Sequence, residues 1–115
     1  MDADCVFCKI ANKDIRSDIV YEDDSFLAFK DLNPQAPFHV LLIPKKHIAS
    51  INELVEADSG IIGRLFIEIK EIARENGISE GGYRVVANCN KNAGQEVFHL
   101  HFHLLGGRKF TWPPG

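Results

Sequence analysis

The chain has no long hydrophobic run, no excess of positive charge and few cysteines. Across 115 residues, no apolar stretch approaches the ~20 residues that a membrane-spanning helix requires. Basic residues number 13 and acidic residues 16, and the resulting net charge of −3 argues against a basic nucleic-acid-binding face. We therefore expect neither a membrane nor a nucleic acid as a partner.

The three cysteines are an odd number and suggest no disulfide framework. The start of the chain, Met1-Asp2-Ala3-Asp4-Cys5, lacks the basic and apolar regions of a secretion signal. Repeats, linkers and low-complexity segments are also missing. These absences predict one soluble, reduced, cytoplasmic domain over residues 1–115, in which residues 108–115 form a C-terminal tail.

Hydrophobic residues make up 45% of the chain, which is enough to fill one core. Apolar segments bounded by turn residues predict five strands, at 19–22, 26–29, 38–43, 83–89 and 97–105. Apolar residues spaced by three and four predict one long helix over 58–76, capped by Asp58 or Ser59 and ended by Gly77. Residues 5–11 predict a short helix or turn. The fold class is α+β, an antiparallel sheet with one face covered by the long helix.

Three of the five histidines alternate in the run His99-Leu100-His101-Phe102-His103-Leu104-Leu105. A strand has a side-chain period of two, so the three imidazoles share one face and neighbours lie about 6.5–7 Å apart. The intervening residues then face the core: Phe98, Leu100, Phe102 and Leu104. A strand needs no histidine for its own stability, so the row indicates chemistry.

The residues alone leave three interpretations of this row. The rings can be half-exposed without a task, they can bind zinc, or they can act in catalysis as a neutral nucleophile beside a donor. The polar loop of residues 90–96 bears on the choice, because its backbone N–H groups can point at an anion and Gln95 adds an amide donor. A plain hairpin connection is the alternative there. Beside the histidines, a phosphate-binding loop is the favoured interpretation.

The His-φ-His-φ-His-φ-φ pattern of residues 99–105, where φ is apolar, resembles the signature of the histidine triad (HIT) family. Other segments are similar to its Hint branch of purine nucleoside phosphoramidases, in a form that looks bacterial. These segments are residues 31–37, His39, residues 43–48, Gly94-Gln95 and Trp112-Pro113-Pro114-Gly115. The resemblance covers nearly the whole chain.

This resemblance implies a five-stranded antiparallel sheet, with a homodimer that joins two sheets into one of ten strands. It also implies hydrolysis of nucleoside phosphoramidates, such as AMP linked to an amine, without a catalytic metal. His101 resembles the family nucleophile, which forms a nucleotidyl-histidine intermediate. His103 and His39 match groups that contact phosphate oxygens or the leaving group. Four further positions match phosphate contacts: Asn88, Gly94, Gln95 and Val97.

Asp31 resembles the carboxylate that binds the ribose hydroxyls in the family. Five apolar residues match the slot around the base: Val6, Phe7, Ile10, Phe29 and Leu32. Ordinary core packing is the alternative for these five. Glu96 stands where some members carry a serine that is thought to protonate the leaving amine, and others carry glutamate. Trp112 resembles a tryptophan that reaches the partner's active site, with a disordered chain end as the alternative.

The pair Cys5-Val6-Phe7-Cys8 has the C-x₂-C spacing of a zinc site, a redox site or two unreactive thiols. No thioredoxin-like βαβ pattern surrounds it, which disfavours redox chemistry. A structural zinc needs four ligands, and His47 and His99 are the candidates for the other two. Relatives that keep this pair often look zinc-bearing, so we expect a structural zinc held by Cys5, Cys8, His47 and His99.

The leading hypothesis is therefore a phosphoramidate hydrolase that acts on a purine nucleotide. Two alternatives remain at the level of sequence. One is a dinucleoside polyphosphate hydrolase or nucleotidyl transferase, and the other is a nucleotide-binding module without catalysis.

Overall fold

A computed structural model describes residues 4–115, which form a five-stranded antiparallel sheet and two α-helices. The strands are β1 (Ile19–Glu22), β2 (Phe26–Lys30), β3 (Phe38–Pro44), β4 (Tyr83–Val86) and β5 (Phe102–Gly106). The helices are α1 (Val6–Ala11) and α2 (Ser59–Glu75), with short 3-10 helices at Ile51–Glu53, Glu56–Asp58 and Lys91–Ala93. The predicted α+β class, with one long and one short helix, is confirmed. Residues 1–3 of the acidic start lie outside the described residues.

The strand order β1-β2-β3-β5-β4 places β3 at the centre of the sheet. Its Leu41 pairs with Phe29 of β2 on one side and with His103 of β5 on the other. The first hairpin turns at Asp23, as predicted, because its carboxylate accepts hydrogen bonds from the backbone N–H groups of Ser25 and Phe26. This register brings the histidine segment beside the apolar residues of β2 and β3.

Both faces of the sheet are covered, whereas the sequence predicted a cover on one face only. Helix α2 packs on the first face, where Leu65, Ile69, Ile72 and Ala73 join the larger core. Helix α1 packs on the opposite face, and its Phe7 and Ile10 join a second core with Leu27 and Ile43. The position of α1 matters for the site, because the histidines lie on the same face of the sheet as this helix. None of the helices in residues 4–115 is both long and apolar enough to cross a bilayer.

Helix α2 matches its predicted range, but its caps differ from the prediction. Asp58 precedes the helix without a capping hydrogen bond, because its carboxylate accepts from the Val55 N–H and from Lys46 instead. The other end follows the prediction. Gly77 adopts a φ of +73°, and its N–H donates to the carbonyl of Arg74, which ends the helix as glycine readily does.

The strand predicted over 97–105 is shorter at its start and runs from Phe102 to Gly106. Its ladder with β3 begins where Phe102 pairs with Leu42. Before that point the chain pairs with a residue outside the sheet, since the N–H of Leu100 donates to the carbonyl of Ile48 at 2.6 Å. Phe98 was predicted to face the core, and this was wrong, since its side chain is 51% exposed.

The strand predicted over 83–89 also ends early, at Val86. Its last pairing joins Val86 to His103, so the residues beyond it have no ladder partner in β5. The chain then turns at Asn90, where φ is +67°. This departure from the sheet carries Asn88 towards the cavity described below.

Gly106 ends β5 at a position with no room for a side chain. A Cβ atom there would lie 2.8–2.9 Å from three atoms of the buried Ile78 side chain. We expect Gly106→Ala to lower the free energy of unfolding by about 1–3 kcal/mol through overpacking, as measured by urea denaturation. Gly81→Ala is the matched control, because nothing lies within 4 Å of its Cβ position, and it should change stability by less than about 0.5 kcal/mol. Equal stability of the two variants would show that Ile78 yields without cost.

Candidate active site and metal-binding cluster

His101 is buried and held in one tautomer by the backbone. Its Nδ1 lies 2.8 Å from the carbonyl oxygen of His99. A carbonyl only accepts hydrogen bonds, so Nδ1 carries the proton and donates it. The neutral ring then has its lone pair on Nε2. The ring of Phe7 packs edge-on against it, with 5.1 Å between centroids, and limits its rotation.

His39 and His103 form a second ordered pair. The backbone N–H of Gln35 donates to Nδ1 of His39 at 3.0 Å, so the proton of a neutral His39 lies on Nε2. That nitrogen lies 2.9 Å from Nδ1 of His103 and donates to it. The proton of His103 is thereby placed on Nε2. The two hydrogen bonds run from Gln35 through His39 to His103 and leave the N–H of His103 on Nε2. The ring centroid of His103 lies 5.2 Å from that of His101.

Burial keeps these imidazoles uncharged. It lowers the pKa of His103 to about 4, and the neighbouring imidazoles of His101 and His39 act in the same direction. Burial also lowers the pKa of His39, while the nearby carboxylate of Asp31 opposes that shift. The oxygen Oδ2 of Asp31 lies 3.5 Å from Nε2 of His39, and Oδ1 accepts a hydrogen bond from the N–H of Asn33.

A cavity of about 430 Å³ opens over His101 and His103. Its polar lining includes Asn88 and Glu96 beside Gly94, and its apolar lining includes Val6, Phe7 and Ile10 of α1 and Phe29 of β2. The structure thus gathers most of the predicted site residues around one space. Those residues are Val6, Phe7, Ile10, Phe29, Asp31, Leu32, Asn88, Gly94, Glu96, Val97, His101 and His103. Its volume is in the range of small-molecule sites.

Three predicted residues do not line the cavity. His39 lies behind His103 and reaches the cavity only through it. The amide nitrogen of Gln95 donates to the carbonyls of Ala49 and Val97. The prediction that this amide donates to a bound anion is therefore wrong. Its oxygen accepts from the N–H of Asn90, which makes Gln95 a brace for the loop. Trp112 is 80% exposed, and its ring lies 6.0 Å from the guanidinium of Arg84.

Sequence reasoning missed five residues that line the cavity: Ile15, Arg16, Ser17, Lys30 and Leu41. Leu41 was recoverable from register, because it pairs with both Phe29 and His103. Lys30 was recoverable as the neighbour of Asp31. The segment 15–17 carried no signal, because it connects α1 to β1 without a motif and its position depends on tertiary packing.

Cys5, Cys8, His47 and His99 meet in a cluster that can hold a metal ion, as the sequence predicted. Their ligand atoms all lie within 4.8 Å of one another. Nδ1 of His99 is 3.2 Å from Sγ of Cys5, 3.4 Å from Sγ of Cys8 and 3.2 Å from Nδ1 of His47. A tetrahedral ion with bonds of 2.0–2.3 Å sets its ligand atoms about 3.3–3.8 Å apart, so the cluster fits such an ion closely.

Hydrogen bonds orient this cluster in the way that metal ligands require. Nε2 of His99 lies 2.7 Å from the carbonyl of Pro44 and donates to it, which leaves Nδ1 free to face the thiols. The N–H of Cys8 donates to Sγ of Cys5 at 3.2 Å, a contact that stabilises a thiolate. The third cysteine, Cys89, is not part of the cluster.

The depressed pKa of His103 predicts a loss of stability in mild acid. The ordinary histidine pKa is 6.5 and the folded value is about 4, so the unfolded chain binds more protons between these limits. The contribution of His103 is fully present above pH 6.5 and is lost as the pH falls towards 4. The free energy of unfolding, measured by denaturation at a series of pH values, should therefore fall less steeply in His103→Asn. Both proteins keep the same metal ligands, and identical slopes would contradict the prediction.

Comparisons with known proteins agree with the geometry. The family described as "Scavenger mRNA decapping enzyme C-term binding" matches residues 4–110. The purine nucleoside phosphoramidase of Escherichia coli is 45% identical over 108 residues, which are 94% of this chain and 91% of that protein. An uncharacterized HIT-like protein of Synechocystis is 50% identical over 115 residues, the full length of both chains.

Solved structures show the same fold. A HIT family hydrolase from Legionella pneumophila superposes with a TM-score of 0.96 at 54% identity, covering 97% of this chain and 100% of that chain. A histidine triad protein from Clostridium difficile superposes with a TM-score of 0.94 at 48% identity, covering 96% of each chain. The chain belongs to the histidine triad (HIT) family.

Proposed function

We propose that the chain hydrolyses the P–N bond of purine nucleoside phosphoramidates, compounds that join AMP to an amine, through a nucleotidyl-histidine on His101. The observation that carries this proposal is the 2.8 Å hydrogen bond from Nδ1 of His101 to the carbonyl of His99. It leaves the lone pair on Nε2 of a neutral ring that lines the cavity. The purine nucleoside phosphoramidase of Escherichia coli, at 45% identity, supports the choice of substrate class.

In the first step, Nε2 of His101 attacks the α-phosphorus, and the P–N bond to the amine breaks. The N–H of His103 donates to a phosphoryl oxygen, where negative charge develops. Because the pKa of His103 is about 4, this ring stays a neutral donor throughout the physiological range. The departing amine takes up a proton from solvent, and the exposed Glu96, which lines the same cavity, orients the water that delivers it.

In the second step, water attacks the phosphorus of the nucleotidyl-histidine and gives up a proton to solvent, while the P–Nε2 bond breaks and releases AMP and the free imidazole. Asn88 and the backbone near Gly94 and Val97 hold the phosphoryl oxygens through both steps. His39 acts indirectly, because its hydrogen bond to Nδ1 of His103 keeps the proton of His103 on Nε2, the nitrogen that faces the substrate. Splitting one displacement into two avoids a direct attack of water on the phosphoramidate.

The remainder of the cavity binds the nucleoside. Asp31 accepts the ribose hydroxyls with the lone pairs that its contacts to Asn33 and His39 leave available. The base lies against the apolar lining residues, between side chains of α1 and β2 and next to the exposed Leu32. Phe7 serves both parts of the site, because it belongs to this apolar lining and also contacts the ring of His101. The apolar residues concerned are Val6, Phe7, Ile10, Phe29 and Leu32.

The ion that suits the cluster of Cys5, Cys8, His47 and His99 is zinc, since two thiolates and two imidazoles are a common tetrahedral zinc set. A bound zinc would supply a structural cross-link between the start of α1 and the segment before β5. All four positions are protein ligands, so no open position remains for substrate. The proposal also includes the homodimer with a ten-stranded sheet, in which Trp112 approaches the partner's cavity, and a cytoplasmic location.

Removing the nucleophile tests the reaction. We expect His101→Ala and His101→Gly to lower the turnover of an adenosine phosphoramidate by at least about a thousandfold. The wild type should be mixed with substrate and quenched in base, because P–N bonds hydrolyse in acid, and the peptide that contains His101 should then carry the added mass of a nucleotidyl group. Asn92→Ala, an exposed position in the preceding loop, is the matched control and should keep full activity.

Other outcomes favour other functions. Turnover that stops with chelator would favour a metalloenzyme, because Asp31, His39 and His103 also lie within 4.8 Å of one another. A faster rate on dinucleoside polyphosphates than on phosphoramidates would favour the related nucleotidyl hydrolase. AMP binding without turnover of either substrate would favour a binding module. An unchanged rate in both His101 variants would refute the proposed nucleophile.

Removing the thiols tests the zinc site. We expect about one zinc per chain by elemental analysis of the wild type, and almost none in the Cys5→Ser, Cys8→Ser double variant. The melting temperature should fall as well, and KM for the phosphoramidate should rise more than kcat falls, because α1 supplies part of the base slot. Cys89→Ser lies outside the cluster and should keep its zinc. Stoichiometric zinc in the double variant would refute this ligand set.

A further inference from the structure

The cavity has a polar border that the proposed mechanism leaves unused. This border consists of Arg16, Ser17 and Lys30. Arg16 and Ser17 belong to the connection between α1 and β1, and Lys30 is the last residue of β2. These three residues line the same cavity as Phe7 and Phe29, which are proposed to contact the base. They can contact the edge of the base, while the apolar residues contact its faces.

The hydroxyl of Ser17 is buried and has no hydrogen-bond partner. Within residues 4–115, its Oγ is the single buried side-chain nitrogen or oxygen in this condition. A buried hydroxyl without a partner is costly, and native proteins rarely keep one without a reason. Ser17 lines the cavity, so a rotation about χ1 offers its Oγ to a molecule bound there. A hydroxyl donates or accepts, so Ser17 can contact either purine.

Arg16 and Lys30 are cations without a carboxylate partner in the described part of the chain. Lys13 and Lys45, by contrast, both contact Glu22, and Lys46 contacts Asp58. Guanidinium and ammonium groups donate hydrogen bonds and never accept them. A border with two such groups therefore favours a ligand edge that is rich in acceptors.

The two common purines differ at this edge. Guanine presents two acceptors, O6 and N7, whereas adenine presents the acceptor N7 beside the N6 donor. An arginine can donate hydrogen bonds to O6 and N7 of guanine together. At adenine its N–H groups face the N6 amino group, which is also a donor. We infer that Arg16, assisted by Lys30, reads the six-position of the base and makes this chain prefer guanine nucleotides over adenine nucleotides, while Ser17 contacts the edge of either purine. The inference rests on the proposed function, which puts a purine nucleotide in this cavity.

Binding of the reaction products tests the inference without turnover. We expect the wild type to bind GMP about tenfold more tightly than AMP by isothermal titration calorimetry, a ratio within the range of one arginine–guanine contact. IMP, which keeps O6 but lacks the two-amino group, should bind like GMP. In Arg16→Ala the ratio of GMP to AMP affinity should fall below about twofold, with little change in the AMP affinity. Ser17→Ala should weaken both nucleotides to a similar degree.

Lys9→Ala is the matched control, because it removes one positive charge from an exposed position of α1 outside the cavity. It should leave the ratio unchanged. Equal affinity of the wild type for GMP and AMP would overturn the inference, as would a preference that persists in Arg16→Ala. An equal loss for both nucleotides in Arg16→Ala would also overturn it, since Arg16 would then contact the phosphate. Failure of the wild type to bind any of the three nucleotides would instead count against the proposed function.

Discussion

The hydrogen bond between Nδ1 of His101 and the carbonyl of His99 is the interaction on which the rest of the site depends. A histidine ring in water exchanges its proton between two nitrogens, and only one of the two tautomers exposes a lone pair in a given direction. The 2.8 Å contact to a carbonyl removes this freedom without placing a charge beside the ring. Within residues 4–115, the cavity, the neighbouring donors and the apolar slot are arranged around the nitrogen that this contact leaves unprotonated.

The position of that carbonyl depends in turn on the side chain of the same residue. The imidazole of His99 is fully buried between Pro44, which accepts from Nε2, and the thiols of Cys5 and Cys8. The next N–H, that of Leu100, donates to Ile48, which fixes the peptide that follows. One residue thus joins this cluster to His101, through its side chain on one side and its backbone on the other. A metal ion bound at the cluster would therefore also help to order the cavity around His101.

The sequence predicted the elements whose patterns are local and missed those whose limits depend on pairing. The range of β1 and the end of α2 at Gly77 followed from apolar spacing and a glycine, which act within a few residues. The start of β5 did not, because it depends on where β3 provides a partner, and Leu42 is the last residue of β3 to pair with β5. Phe98 illustrates the consequence. It was predicted to face the core because the side-chain alternation of a strand was applied to residues that precede the first pairing of β5 with β3.

The same distinction separates the site residues. Spacing and family resemblance identified the histidines, Asp31 and the metal-binding cluster, because each belongs to a motif. Spacing did not reveal that the amide of Gln95 is consumed by the carbonyls of Ala49 and Val97, contacts that span distant parts of the chain. Nor did it find Arg16 and Ser17, which enter the cavity only because α1 folds back over the second face of the sheet.

Burial of the imidazole pair has a consequence for the proposed reaction, because groups that are themselves uncharged would stabilise the charged phosphoryl group. Two protonated histidines 2.9 Å apart would repel each other, and the removal of water makes that repulsion more costly. His39 and His103 therefore remain neutral and share one directed hydrogen-bond chain that begins at the N–H of Gln35. A neutral ring that is held in this way donates a hydrogen bond without losing its proton, so in the proposed reaction it would need no reprotonation between the two steps. Electrostatic stabilisation by this pair would thus come from fixed dipoles, and the proton that the departing amine takes up would have to come from elsewhere.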